Sequence, residues 1–256
     1  MNDLRDIIPI GHCSMCNDTR KKIVRDDMMG EYKRDCDCVM NYRKGLKLIK
    51  ESKIPDNYIH FTWNDYYPKV GKEKEKENKK AVKELNDWIN DQEYMRKNNG
   101  DLLIIGGKAS GKTLLACIVL KEIMEKYAYS GLYVTAEELI LNTVAQQSFN
   151  PNEEVEDLFR NMTRCDYLII DGFHLLNEQD ISKMSLFRIR NMLKRRKHYR
   201  RCCILTSNIP FKDLSKSSTF VSEMVYSLTK VRLYGDYSLD SWKKFKEGKN
   251  GVSKKK

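Results

Sequence analysis

The sequence contains no long apolar run. Its first residues include Asp3, Arg5 and Asp6, and they lack the continuous apolar core of a signal peptide. No later segment approaches the roughly 20 apolar residues that a membrane-spanning helix needs. The sequence therefore predicts a cytosolic protein without a membrane partner.

The sequence also lacks an internal repeat. At 256 residues and 41% apolar content, it predicts one sizeable core with a small appendage. Its formal net charge of +11 favours a polyanionic partner such as nucleic acid. Part of this excess comes from lysine runs and from the tail at residues 254–256, which are also typical of surfaces that only maintain solubility.

Composition divides the chain into regions. Residues 1–50 are basic, bear cysteine and hold too few large apolar side chains for a core of their own. Residues 51–97 are predicted to be a linker. It begins with an aromatic stretch that contains prolines. An amphipathic helix follows, on which Ala81, Leu85 and Trp88 recur at helical spacing. Residues 98–248 are the predicted main domain, and residues 249–256 form a basic tail.

Short apolar runs alternate with helical patterns through the main domain. The runs occupy residues 102–105, 132–135, 167–170 and 202–206. Four or five apolar residues bounded by turn or helix signals are typical of strands buried on both faces. The predicted fold class is α/β, with a parallel sheet flanked by helices.

A glycine-rich octet follows the first of these strands and precedes a helical pattern at residues 114–126. The octet consists of Gly106, Gly107, Lys108, Ala109, Ser110, Gly111, Lys112 and Thr113. In this context its backbone N–H groups can surround phosphate oxygens, with Lys112 on the β- and γ-phosphates and the Thr113 hydroxyl on Mg²⁺. The octet predicts an ATP and Mg²⁺ site; the alternative is a glycine-rich turn that binds nothing.

The second half of such a site is an apolar strand that ends in aspartate, and Asp171 ends the run at residues 167–170. Gly172 follows, where ATPases of this class usually place an acidic residue that orients the attacking water. Glu178 or Asp180 could approach from the next segment, although both are also typical of a helix start. Asn208, after the strand at 202–206, is the candidate sensor of the γ-phosphate, and a plain turn is the alternative.

Four cysteines near the start predict a metal site, because cytosolic cysteines are kept reduced. Cys13 and Cys16 form one close pair, and Cys36 and Cys38 form another. Four thiolates in two pairs suit structural Zn²⁺, with His12 as a possible substitute ligand. A thioredoxin-like redox pair would need a surrounding βαβ pattern, which is absent. The remaining cysteines stand in apolar contexts that are typical of core positions: Cys117, Cys165, Cys202 and Cys203.

A basic run lies on the helix and loop before the strand at residues 202–206. It comprises Arg188, Arg190, Lys194, Arg195, Arg196, Lys197, Arg200 and Arg201. It is typical of a surface that follows the backbone of single-stranded DNA, of a source of arginine for a neighbouring subunit's phosphates, or of a solvated helix face.

The order of these features resembles one family. After the cysteine module come IPDNY (54–58), the phosphate loop, YVTAEEL (133–139), LIID (168–171) and LTSN (205–208). Together they are similar to DnaC/DnaI-type AAA+ helicase loaders, including phage versions. The resemblance implies an AAA+ P-loop core that assembles into a homo-oligomer with ATP. It also implies an N-terminal region that binds a replicative hexameric helicase and helps place it on single-stranded DNA. The compartment would be the bacterial host cytoplasm if a phage encodes the chain.

The sequence departs from that family at three positions that favour hydrolysis. Besides Gly172, Glu223 stands where the family carries an arginine directed at the neighbouring subunit's ATP. Ser238 replaces an arginine that reads phosphate within the subunit. ATP binding is therefore a firmer prediction than ATP hydrolysis. The alternatives are an IstB-like transposase-helper ATPase, which usually lacks zinc ligands, and an adaptor that binds ATP without turnover.

Overall fold

The computed structural model describes residues 13, 15–17, 19–66, 72–146, 152–177, 181–214, 216 and 229–233. An antiparallel hairpin comes first, formed by β1 (Lys21–Asp26) and β2 (Gly30–Asp35), and helix α1 (Asp37–Glu51) follows it directly. The Asp26 carboxylate accepts the backbone N–H groups of Met28 and Met29, which closes the hairpin turn. Gly30 has a φ of 72°, a backbone conformation that glycine adopts without steric cost.

Helical segments lead from α1 to the main sheet. They are α2 (Asp56–Ile59), a 3₁₀ turn (Trp63–Asp65), α3 (Lys72–Asn90) and α4 (Gln92–Lys97). The amphipathic helix predicted before the main domain is α3, which buries Ala81, Leu85 and Trp88. The aromatic, proline-punctuated stretch of the linker contains two short helical turns.

The main domain continues as alternating strands and helices. The strands are β3 (Leu102–Gly106), β4 (Gly131–Thr135), β5 (Tyr167–Asp171), β6 (Cys202–Ser207) and β7 (Thr229–Leu233). The helices are α5 (Lys112–Tyr127), α6 (Ala136–Ala145), α7 (Glu153–Arg164), α8 (Lys183–His198) and the short α9 (Phe211–Leu214), with a 3₁₀ turn at Phe173–Asn177. Among these described residues, no helix is long and apolar enough to cross a membrane.

All five strands of this sheet are parallel, in the order β4-β5-β6-β3-β7. The four predicted strands are confirmed, and so is the α/β class. β7 is an additional edge strand in which only Val231 and Leu233 are buried. Its half-exposed pattern differs from the continuous apolar runs of central strands, which is why the sequence did not reveal it.

Helix α5 is buried along most of its length, between the sheet and three other helices. Its side chains from Leu114 to Leu120 are all buried, and α1, α2 and α3 contact it. Helix α1 approaches so closely that a Cβ atom at Gly45 would lie 2.6 Å from the Cα of Glu125. The cysteine-bearing segment is therefore held against the helix that begins at the glycine-rich loop.

Asp101 precedes β3 and is buried, with an exposed fraction of 1%. Its Oδ1 accepts the backbone N–H of Cys203 at 2.6 Å, while the Nζ of Lys197 lies 4.0 Å from Oδ2. Burial raises the pKa of this carboxyl to about 6, although the hydrogen bond from Cys203 and the charges of Lys197 and Arg196 oppose the rise. The ionised carboxylate therefore carries a desolvation cost at neutral pH.

We predict that Asp101→Asn is more stable than the wild type at neutral pH. The folded-state pKa exceeds the unfolded value near 3.9, so the carboxyl's contribution to stability is complete below about pH 4 and is lost as the pH rises through 6. Ionisation of the carboxyl thus costs the wild type roughly 3 kcal/mol of folding stability. The asparagine side chain does not ionise, so the mutant avoids this cost. Urea unfolding from pH 4 to pH 7 measures it; a mutant advantage that stays constant across this range would contradict the assignment.

Candidate functional site

The glycine-rich loop joins β3 to α5, as its sequence predicts. A Cβ atom at Gly106 would collide with the Ser110 hydroxyl and would lie 2.9 Å from the carbonyl oxygen of Leu233. Gly111, with a φ of 87°, occupies the left-handed region immediately before the first residue of α5. These two glycines let the chain turn tightly into the N-terminus of a helix, which is a favourable site for anions.

Lys112 is buried beneath this loop. Its Nζ donates to the carbonyl oxygen of Gly107 at 2.6 Å and lies 3.5 Å from the Ser110 hydroxyl. Burial lowers the pKa of the ammonium group, and the charge of Asp171 opposes that shift. The positive charge of Lys112 is therefore held beside the backbone N–H groups of the loop, where it can pair with a phosphate.

Asp171 lies opposite the first turn of α5, at the carboxyl end of β5. The Thr113 hydroxyl donates to its carboxylate at 2.9 Å from Oδ1 and 3.0 Å from Oδ2. A hydroxyl beside a carboxylate supplies two oxygen donors of the kind that Mg²⁺ prefers. The structure thus brings together Lys112, Thr113 and Asp171.

Two further hydroxyls contact the same carboxylate, and sequence reasoning missed both. Thr206 donates to Oδ1 of Asp171 at 2.5 Å, and Tyr133 donates to Oδ2 at 3.0 Å. Burial and the neighbouring carboxylate both raise the pKa of Tyr133, so its hydroxyl keeps its proton. Their positions in the sequence could have revealed them. Polar residues toward the carboxyl ends of adjacent parallel strands lie close together in the sheet.

An open cleft of about 610 Å³ extends from the loop across this edge. The sequence-predicted residues Gly111, Lys112, Thr113, Asp171 and Asn208 line it. Tyr58, from the IPDNY segment, also faces the cleft and is about half buried. This tyrosine places the linker beside the site, a contact that spacing in the sequence could not reveal.

Asn208 lies at the exposed rim of the cleft, beside His174. Its Nδ2 is 3.4 Å from the Nε2 of His174, and its backbone N–H points to Nδ1 of the same ring. Among the described residues, the hydrogen-bond donors to the Asp171 carboxylate are Thr113, Tyr133 and Thr206, and Asn208 is not one of them. Glu178 and Asp180, the acidic residues that could approach in place of the one missing after Asp171, fall outside the described residues.

Gly172 occupies the position where an acidic residue was expected from the ATPase pattern. Its φ is 79°, a region that disfavours residues with a side chain, and its N–H donates to the Thr206 hydroxyl at 2.9 Å. A Cβ atom here would lie 3.3 Å from Cδ1 of Leu175. The backbone therefore suits glycine and disfavours an acidic replacement. The other two departures, Glu223 and Ser238, lie outside the described residues.

The four N-terminal cysteines converge. Their sulfur atoms all lie within 4.8 Å of one another, with Cys13 and Cys36 at 3.9 Å and Cys16 and Cys38 at 3.8 Å. A tetrahedral zinc site with Zn–S bonds of about 2.3 Å separates its sulfurs by about 3.8 Å, so the donor set fits Zn²⁺. His12, the substitute ligand, falls outside the described residues.

The basic run before β6 is not a uniform surface. Arg196 is fully buried, and its guanidinium donates to the carbonyl oxygens of Met162, Cys165 and Cys202 at 2.6 to 2.9 Å. It ties α7 to β6, so the expectation of a solvent-facing side chain is wrong at this position. The cysteine pattern is confirmed at Cys117, Cys202 and Cys203, which are buried, while Cys165 is partly exposed.

The loop, the helix that follows it and the parallel sheet define a P-loop domain of the AAA+ class. Residues 72–229 match the family model described as the bacterial DnaA ATPase domain, which covers more than half of the chain. The chain therefore belongs to the bacterial DnaA ATPase domain family. No curated protein sequence matches it.

Three solved structures show the same fold. The DnaC helicase loader is 18% identical, with a TM-score of 0.53, and the match covers 70% of this chain and 99% of that one. DnaI is 16% identical, with a TM-score of 0.56, and the match covers 71% and 95%. The replication initiator DnaA, bound to AMPPCP and single-stranded DNA, is 17% identical, with a TM-score of 0.55 and coverage of 79% and 56%. The resemblance inferred from the sequence is thus confirmed at the level of the fold.

We predict that Thr206→Val destabilises the protein by about 1–3 kcal/mol. Valine keeps the shape of the side chain but removes the donor to Asp171 and the acceptor for the Gly172 N–H. Urea unfolding measures the change. Thr163→Val, which removes a bond within helix α7, is the control and should cost less; equal costs would show that Thr206 does not organise the site.

Proposed function

We propose that the chain is an ATP-binding helicase loader that delivers a replicative DNA helicase onto single-stranded DNA. The observation that carries this proposal is the pairing of Thr113 with Asp171 beside a phosphate loop, within the DnaA ATPase domain family. The shared fold with the DnaC helicase loader and DnaI supports the loader role. The complex of DnaA with AMPPCP and single-stranded DNA supports nucleotide and DNA as ligands.

Nucleotide binding would use the loop and its charged neighbours. The N–H groups of residues 106–113 would bind the phosphates, and the Lys112 ammonium would leave the Gly107 carbonyl oxygen for a phosphate oxygen. Thr113 and Asp171 would hold Mg²⁺, which neutralises phosphate charge when it is bound. Tyr133 and Thr206 would keep the Asp171 carboxylate oriented toward the cleft.

A second candidate function is an adaptor that binds ATP without turnover. Gly172 favours it, because this position has no side chain to act as a base and a φ that disfavours one. In both candidates ATP would act mainly as a switch. ATP would promote self-assembly, and Asn208 at the cleft rim would respond to the γ-phosphate.

Zinc would cross-link the two cysteine pairs of the N-terminal segment. Two of the sulfur–sulfur distances match those of a tetrahedral zinc site, and all four sulfurs lie within 4.8 Å of one another. Burial raises the pKa values of the Cys36 and Cys38 thiols, so a bound cation would stabilise their thiolate forms. With zinc bound, this segment would present the β1–β2 hairpin and α1 to the helicase. The packing of α1 on α5 would connect this module to the nucleotide site.

Two assays separate the loader from its rivals. The full chain should capture the replicative helicase from a purified preparation in the presence of ATP, whereas a transposition helper should not. Phosphate release with and without single-stranded DNA separates turnover from binding alone. Failure to capture the helicase would overturn the loader proposal, and rapid phosphate release would exclude the adaptor.

We predict that Lys112→Ala abolishes ATP binding, because the phosphate charge loses its buried counter-ion. Isothermal titration calorimetry measures the affinity. Lys126→Ala, at the other end of α5, is the matched control and should bind as the wild type does. Unchanged affinity in Lys112→Ala would refute the site assignment.

We predict that the purified wild type contains one equivalent of zinc and that Cys13→Ser with Cys36→Ser loses it. Hydrogen exchange should then increase in the hairpin, while the parallel sheet remains protected, because the sheet has its own core. Cys117→Ala, in α5, is the control and should retain zinc. A wild type without zinc would contradict the assignment.

A further inference from the structure

A second concave surface lies between α7 and α8, and the nucleotide site does not use it. It encloses about 380 Å³. Its lining includes Phe159, Arg160, Thr163, Arg164, Arg188 and Arg195. Glu156 at one end is its single acidic residue, so this α7–α8 groove carries a net positive charge.

The residues that line the groove lie on one face of each of its two helices. Glu156, Phe159, Arg160, Thr163 and Arg164 recur at three- and four-residue spacing, which places them on one face of α7. Arg188 and Arg195 are two turns apart on α8, which also places them on one face. Arg160 and Arg164 are separated by a rise of about 6 Å along the helix. The cationic groups therefore form a row on each side of the groove.

Two of the four arginines that line the groove are available to bind a ligand. Arg160 pairs with Asp157 at 3.0 Å, and Arg188 donates to the backbone carbonyl oxygen of Gln146 at 3.3 Å. The side chains of Arg164 and Arg195 are exposed and have no hydrogen-bond or ion-pair partner among the described residues. Buried Arg196 joins the two walls from behind, through the carbonyl oxygens of Met162 and Cys165.

The groove shares no lining residue with the nucleotide cleft, and its Arg164 and Arg195 lie toward the opposite ends of the strands from that cleft. The carboxyl ends of α7 and α8 lead into the first residues of β5 and β6, so Arg164 and Arg195 lie near the amino ends of those strands. Asp171 lies at the carboxyl end of β5. A ligand in the groove would therefore not compete with ATP.

We propose that the α7–α8 groove binds the phosphate backbone of single-stranded DNA, with Arg164 and Arg195 as its principal contacts. Guanidinium groups match phosphate oxygens in geometry and charge. Phe159 lines the groove while packing partly against the core, and an aromatic ring beside cationic groups is typical of sequence-tolerant single-strand sites. The choice of DNA rests on the proposed function; the choice of a flexible polyanion rests on the concave, arginine-lined shape.

The test compares two variants of equal charge in the full chain. The groove variant is Arg164→Gln with Arg195→Gln, and the control is Lys183→Gln with Lys194→Gln, which removes two exposed charges of α8 that do not line the groove. Fluorescence anisotropy with labelled oligothymidylate measures the dissociation constant over a range of salt concentrations, with ATP and Mg²⁺ present. A duplex of the same length and an oligouridylate are the comparison ligands.

Loss of two phosphate contacts should reduce the slope of log affinity against log salt by about 1.4, or roughly 25-fold in affinity at 0.1 M salt. The control should lose much less, and ATP affinity should be unchanged in both variants. Equal losses in the two variants, no binding of single-stranded DNA by the wild type, or preference for duplex or RNA would overturn the proposal. Helicase capture is scored separately, so its failure would contradict the proposed function without affecting the groove.

Discussion

The burial of α5 is the constraint on which the rest of the structure depends. This helix begins at the phosphate loop, lies against the central strands and is covered on its outer side by α1, α2 and α3. Lys121, which is also buried, donates to the carbonyl oxygens of Ile59 and Phe61, and Trp63 donates to Glu122 at 2.7 Å. The phosphate loop, the linker and the cysteine-bearing segment are thus all joined to or packed on this one helix.

Asp171 has a comparable role at the carboxyl edge of the sheet. Three strands and one helix each contribute a group to its environment: the carboxylate itself, the hydroxyls of Tyr133 and Thr206, and the hydroxyl of Thr113. Such an arrangement fixes the orientation of this carboxylate before any ligand arrives. The same edge carries Gly172 in a conformation unsuited to an acidic residue. Among the described residues, an oriented carboxylate therefore lies directly beside a position that has no side chain.

The sequence predicted the features that depend on local pattern. Continuous apolar runs predicted four of the five strands of the parallel sheet, and the fixed spacing of the glycine octet predicted the loop between β3 and α5. It could not predict relations set by tertiary packing. Nothing local distinguishes Arg196, whose guanidinium is buried, from exposed Arg195 beside it. The convergence of Thr206 and Tyr133 on Asp171 required the order of strands, and the half-exposed edge strand β7 carries too weak an apolar signal.

We expect Thr113 and Asp171 to form a Mg²⁺ site that serves nucleotide binding. The most direct test is the dependence of ATP affinity on Mg²⁺ in the wild type and in Asp171→Asn, measured by titration calorimetry. We expect Mg²⁺ to strengthen ATP binding severalfold in the wild type and to have little effect in Asp171→Asn. An identical dependence on Mg²⁺ in both proteins would contradict this expectation.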